Sequence, residues 1–154
     1  MKNLILMSLV VLGSVTVSAK DLTLKDMQQI IPNMERSGHE GQSYKCAVKT
    51  EWLENGDLKV VATQQYKDWT PSTIEMVLAA AKGAEAYTEQ GDDSTYTIGQ
   101  STVLSEEDDY RVDLYESFSV TIENSVITGF SVQIAEVDHE SDPHEDVIYC
   151  DLTK

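Results

Sequence analysis

From residue 44 almost to the C-terminus, apolar side chains recur mostly at every second position. Tyr44, Cys46, Val48, Thr50 and Trp52 alternate with Lys45, Ala47, Lys49 and Glu51. Successive side chains of a strand point to opposite faces, so this segment reads as a half-buried β-strand. Glu54-Asn55-Gly56-Asp57 supplies turn chemistry, with Asn55 and Gly56 able to take positive φ, and Leu58 to Tyr66 returns as the second strand of a hairpin. After a polar Gly91-Asp92-Asp93-Ser94 loop the alternation resumes in five further runs, marked by Tyr96 and Ile98, by Val112 and Leu114, by Phe118 and Val120, by Phe130 and Val132, and by Ile148 and Cys150. The short Asn124-Ser125 turn pairs Ser117 to Ile122 with Val126 to Glu136 as an antiparallel hairpin. Glu116 interrupts the apolar series between Leu114 and Phe118, so a bend, bulge or turn is expected there.

Two segments carry a helical period instead. Leu24, Met27, Ile30, Ile31 and Met34 predict an N-terminal helix over 22–36, capped by Thr23 with Asp26 three residues on, and ended or kinked by Pro32. Ser37 to Ser43 then reads as a loop. Thr70-Pro71 is suited to open a second helix over 71–82, with Ile74, Val77, Leu78 and Ala81 as its apolar stripe and Gly83 as its stop. Trp69 and Ile74 have the spacing of a hydrophobic staple, which makes Trp69 structural.

Residues 1–19 have the form of a signal peptide: Lys2, an apolar run from Leu4 to Leu12, and small residues at Val17-Ser18-Ala19 before the cleavage point. The run is too short to span a bilayer, so no transmembrane segment is expected after cleavage. Residues 20–154 then form a single globular domain, 20–42 being helix and loop and 43–154 sheet plus helix. Export, periplasmic or extracellular, places Cys46 and Cys150 where a disulfide persists, and two cysteines allow one intramolecular pairing. Bridged Cα atoms approach to about 4.4 to 6.8 Å, so the strands carrying them must be close in space. The expected fold is therefore α+β: a curved antiparallel sheet of about seven strands, open or closing as a barrel, with the 71–82 helix packed on it and a short N-terminal helix.

Charge narrows the function. With 27 acidic against 11 basic side chains and a net charge of -16, the chain lacks the clustered cations that displace counterions from nucleic acid. The densest run of ligand-type side chains is Glu136, Asp138, His139, Glu140, Asp142, His144, Glu145 and Asp146. His139, Asp142, His144 and Asp146 offer the imidazole and carboxylate set of a divalent metal, zinc above all. The spacing matches neither a zincin motif nor an EF-hand, where Pro143 would stand at the required glycine. No bound cofactor is expected, and a solvated acidic loop is the reading favoured here. Glu106-Glu107-Asp108-Asp109 is a second acidic run at a strand connection, exposed because adjacent carboxylates repel.

Catalytic signatures are scarce. Gly99-Gln100-Ser101-Thr102-Val103 lacks the second glycine of a nucleophile elbow, and there is no phosphate-cradling loop or Cys-x-x-Cys pair. The chain is expected to be a small exported binding or inhibitor-like protein, non-enzymatic, that meets a basic macromolecular partner through Glu106, Glu107, Asp108, Asp109, Asp138, Glu140 and Asp142. One alternative is a carrier of a small apolar ligand lined by Tyr44, Trp52, Tyr96, Tyr110, Phe118 and Phe130. Another is a hydrolase with a carboxylate or His-Asp site assembled in space.

Overall fold

The computed structural model describes residues 22–40, 44–88, 94–107, 110–138 and 144–152. The expected signal peptide, 1–19, lies outside them. Among the described residues no helix is long and apolar enough to cross a membrane. Among the described residues a seven-residue helix α1 (Leu24–Ile30) is followed by nine strands. Strands β1 (Met34–Glu40), β2 (Tyr44–Trp52), β3 (Leu58–Tyr66) and β4 (Ser72–Leu78) form one antiparallel sheet in that order. Strands β5 (Glu85–Thr88), β6 (Thr95–Glu107), β7 (Tyr110–Glu123), β8 (Val126–Asp138) and β9 (His144–Asp151) form the second. The fold is mainly β, in two sheets that do not close as a barrel, rather than one curved sheet with an amphipathic helix.

The capping box forms as the sequence predicts: the Asp26 N–H donates to Thr23 Oγ1 at 3.2 Å and the Thr23 N–H to the Asp26 carboxylate at 2.9 Å. The helix is shorter than its periodicity suggests because Pro32 stops it, and Met27 and Ile31 are buried in the core. After the helix, the chain is stitched to β2. Trp52 Nε1 donates to the Ile31 carbonyl at 2.7 Å, and Thr50 Oγ1 to that of Pro32 at 2.9 Å. This anchoring delivers Met34–Glu40 to the free edge of β2, from Met34 opposite Thr50 to Glu40 opposite Tyr44. Residues 37–40, expected as loop, are therefore strand, although Met34–Glu40 has no apolar alternation.

The second predicted helix is also strand. Ile74 and Leu78 satisfy a period of 3.6 and a period of two equally, and Met76 between them is buried with both. Thr73, Ile74 and Val77 are β-branched, and β3 offers a free edge, so pairing runs from Gln64 opposite Ser72 to Leu58 opposite Leu78. Only Ala80–Lys82 is helical, as one 3-10 turn ended by Gly83 at φ 78°. Without a helix there is no staple: Trp69 is 72% exposed and meets Tyr66 edge-on, ring centroids 6.1 Å apart.

Both predicted hairpins are present, Tyr44–Trp52 with Leu58–Tyr66 and β7 with β8, the first turning on Gly56 at φ 86° and the second on Asn124 and Ser125 at φ 51° and 66°. Glu116 does not interrupt its strand. Its carboxylate accepts from Gln100 Nε2 at 2.6 Å, and the same amide donates to Val77 O at 3.0 Å while its oxygen accepts from the Ala79 N–H at 2.9 Å. A buried glutamine thus satisfies the carboxylate and ties the second sheet to the end of β4. The irregularities lie elsewhere, between Val103 and Ser105 on β6 and between Thr121 and Ile122 on β7.

The two sheets share one core. Val48, Val60, Met76 and Leu78 face a transverse row made by Ile98, Phe118, Val132 and Ile148, with Met27 and Ile31 of the helix completing the same cluster. At one side β1 and β2 lie against β9, and the Cys46–Cys150 disulfide joins the sheets there, its Cα atoms 5.8 Å apart across 104 residues. The bridge is consistent with an oxidising, exported location. Gly38 is what lets β1 pass so close: a Cβ there would stand 2.3 Å from Asp151 O and 2.9 Å from Cys150 Sγ. Gly38→Ala is expected to force these backbones apart and to cost about 1 to 3 kcal/mol. Urea unfolding checks it; an unchanged midpoint would mean the joint yields without loss.

Candidate functional site

The acidic residues singled out from the sequence are partly visible. Glu106 lies opposite Arg111, Val112 opposite Asp138, and Glu136 opposite His144, so the β6–β7 and β8–β9 connections leave the same end of the five-stranded sheet. Glu106, Glu136, His144, Glu145 and Asp146 are exposed there. Asp108, Asp109, His139, Glu140 and Asp142 fall outside the described residues, as do the side chains of Glu107 and Tyr110. Among the described residues no three His, Cys, Asp or Glu side chains converge in a way that could hold a metal ion. Arg111 is engaged within the sheet, its Nε donating to both carboxylate oxygens of buried Asp113 at 2.9 Å. That hydrogen bond and the charge behind it hold the guanidinium pKa above its ordinary value.

A different site emerges on the sheet face opposite the core. The row Ile98–Phe118–Val132–Ile148 points inward, so the next row along, Thr97–Ser119–Ser131–Tyr149, points outward. Tyr87 of β5 extends this row beyond Thr97. It therefore reads Tyr-Thr-Ser-Ser-Tyr across five strands, small hydroxyl residues in the middle and a tyrosine on each edge strand. Thr95, Thr121 and Gly129 continue the floor on one side, Gly99, Ser117 and Gln133 on the other. Small side chains keep the middle of the floor low, while at one edge Tyr87 reaches over it, its hydroxyl 3.7 Å from where a Cβ on Gly99 would stand, and at the other Tyr149 is exposed; the two bulges add local twist. The result is a trough of about 850 Å³.

The trough has internal order. Thr97 Oγ1 and Ser119 Oγ are 2.8 Å apart, and Ser117 Oγ donates to Gln133 Oε1 at 3.4 Å. Gln133 Nε2 in turn donates to Glu145. Tyr44, Cys46 and Tyr66 of the first sheet bound the trough beyond β9, where the Tyr44 hydroxyl donates to the Tyr149 carbonyl. Lys67 Nζ lies 5.3 Å from the Tyr66 ring centroid. Glu123 and Asp151 supply carboxylates, and among the described residues no Lys, Arg or His lines the space.

The chain matches no family model, no curated protein and no solved structure.

Of the six aromatic residues expected to line an apolar cavity, Tyr110 has its side chain outside the described residues and Tyr96 is partly buried against the shared core. Phe118 and Phe130 are buried in the shared core, Trp52 is bonded to the helix exit, and Tyr44 borders the trough on the β9 side. The trough itself was hidden in the polar phase of the alternation. Between Thr95 and Ser101, between Tyr115 and Thr121, and between Gly129 and Ala135, the outward positions hold no charged residue, although charged types make up 25% of the chain. A solvated face ordinarily draws on Lys and Glu, so that depletion was the available signal.

Proposed function

We propose that the protein is an exported, non-enzymatic binding protein that meets a basic macromolecular partner through the acidic end of its five-stranded sheet. The observation carrying this reading is the register that brings both acidic connections to one end, with Glu106 opposite Arg111 and Asp138 opposite Val112. A net charge of -16 adds a long-range field that draws cationic surfaces and accelerates encounter. Arg111 is held by Asp113 and therefore offsets little of the negative charge presented there. Glu107, Asp108, Asp109, Glu140 and Asp142 extend the same connections in sequence.

Pull-down from the envelope or secretome of the source, at low and high salt, tests the proposal with a variant carrying Glu106→Gln, Glu107→Gln, Asp108→Asn and Asp109→Asn. The expected result is a captured basic protein whose association slows by about tenfold or more in the variant and in salt. Capture that is indifferent to both contradicts a charge-led mechanism.

A further inference from the structure

We infer that the trough on the outer face of the second sheet is a separate binding site for a neutral oligosaccharide. Its centre lies away from the tip of the acidic end: along β6, Thr97 and Glu106 are nine residues apart, about 30 Å in an extended strand, and only the near edge of the trough, where Gln133 bonds Glu145, borders it. Its volume, about 850 Å³, is that of a small-molecule site rather than of a gap between side chains.

The lining selects the ligand by its chemistry. An anion finds no Lys, Arg or His among the described lining residues to receive it and meets a strongly negative molecule. An apolar ligand would strip water from the half-buried Ser119 and Ser131 and from the exposed Tyr149 hydroxyl without replacing their hydrogen bonds, while Thr97 is buried and bonded to Ser119. Among the described lining residues a cation meets carboxylates at Glu123 and Asp151, toward one end, Glu145 beyond them is engaged by Gln133, and the Tyr66 ring already carries the Lys67 ammonium. A neutral sugar chain uses the whole surface. Each Ser, Thr and Tyr hydroxyl can donate and accept, as each sugar hydroxyl can. The negative face of a tyrosine ring attracts the polarised C–H groups on the flat side of a pyranose.

Geometry agrees with this assignment. Tyr87 and Tyr149 belong to the two edge strands, four strand spacings or about 19 Å apart at the backbone, with the low floor between them and the Tyr87 side chain reaching inward as far as Gly99. Tyr149 is 66% exposed, and Trp69, packed edge-on to Tyr66, extends the aromatic rim. Exposed tyrosine rings beside a floor of small hydroxyl residues, with carboxylates only toward one end of the described lining, suit a ligand that presents C–H faces and hydroxyl edges together.

The test titrates isotopically labelled full-length protein with maltohexaose, cellohexaose and chitohexaose, and separately with the polyamine spermine, following amide chemical shifts. At least one hexasaccharide is expected to shift Thr97, Ser119 and Ser131 saturably, with a Kd of about 1 mM or tighter. Tyr149→Ala should weaken it about tenfold and Tyr149→Phe should restore it, because the ring face does the stacking. The fold tolerates this change, since the side chain is exposed and the Tyr44 hydroxyl bonds the Tyr149 backbone carbonyl, which the substitution keeps. Shifts with spermine and none with the three sugars, no shift with any probe, or an affinity unmoved in Tyr149→Ala would each overturn the assignment.

Discussion

Replacing both bridged cysteines, as Cys46→Ala with Cys150→Ala, is expected to lower the free energy of unfolding by about 2 to 5 kcal/mol. The bridge closes 104 residues of chain, so its loss releases a long loop in the unfolded ensemble. The native state loses something as well, because Cys46 and Cys150 belong to different sheets and hold the β2–β9 joint at which Gly38 meets Asp151. Urea unfolding of the double variant against the oxidised parent measures the change, and the m-value should rise as the unfolded chain expands. A midpoint and slope matching the parent would show that the shared core alone holds the sheets together.

Phe118→Ala is expected to cost about 3 to 5 kcal/mol. Phe118 is fully buried, sits between Ile98 and Val132 in the inward row, and is the largest wholly enclosed side chain of the core. The strands on either side are paired along their length, so the space left behind cannot collapse readily and its lining loses packing contacts outright. Val126→Ala provides the contrast: Val126 is 59% exposed, and truncating it should change stability by less than about 0.5 kcal/mol. Equal losses at the two positions, read as unfolding midpoints, would refute the partition of the sheet into an inward and an outward face.

Each element read correctly from the sequence was one where local chemistry and burial agree. The Thr23–Asp26 box, the Gly56 turn and the Asn124-Ser125 turn act within a few residues, and the strands around them carry unambiguous alternation. The misread elements lacked that agreement. In Ser72–Leu78 the apolar spacing fits helix and strand alike, and the free edge of β3 decided between them. Met34–Glu40 carries no pattern at all and became a strand because Thr50 and Trp52 hold the preceding turn against β2. Glu116 looked like a break because its partner, Gln100, is 16 residues away.

The trough follows the same logic. Thr97, Ser119 and Ser131 are unremarkable singly, and only pairing places them in one row between Tyr87 and Tyr149.

What the sequence determined by itself was the β-rich class, the turns, the disulfide partners and the negative charge, since each depends on neighbouring residues, on counting, or on two cysteines having one pairing. The tertiary structure alone decided the division into two sheets, the fate of the ambiguous segments and the location of the trough. Those depend on which edges meet which, and backbone hydrogen bonding across strands is blind to the side chains that the linear pattern records.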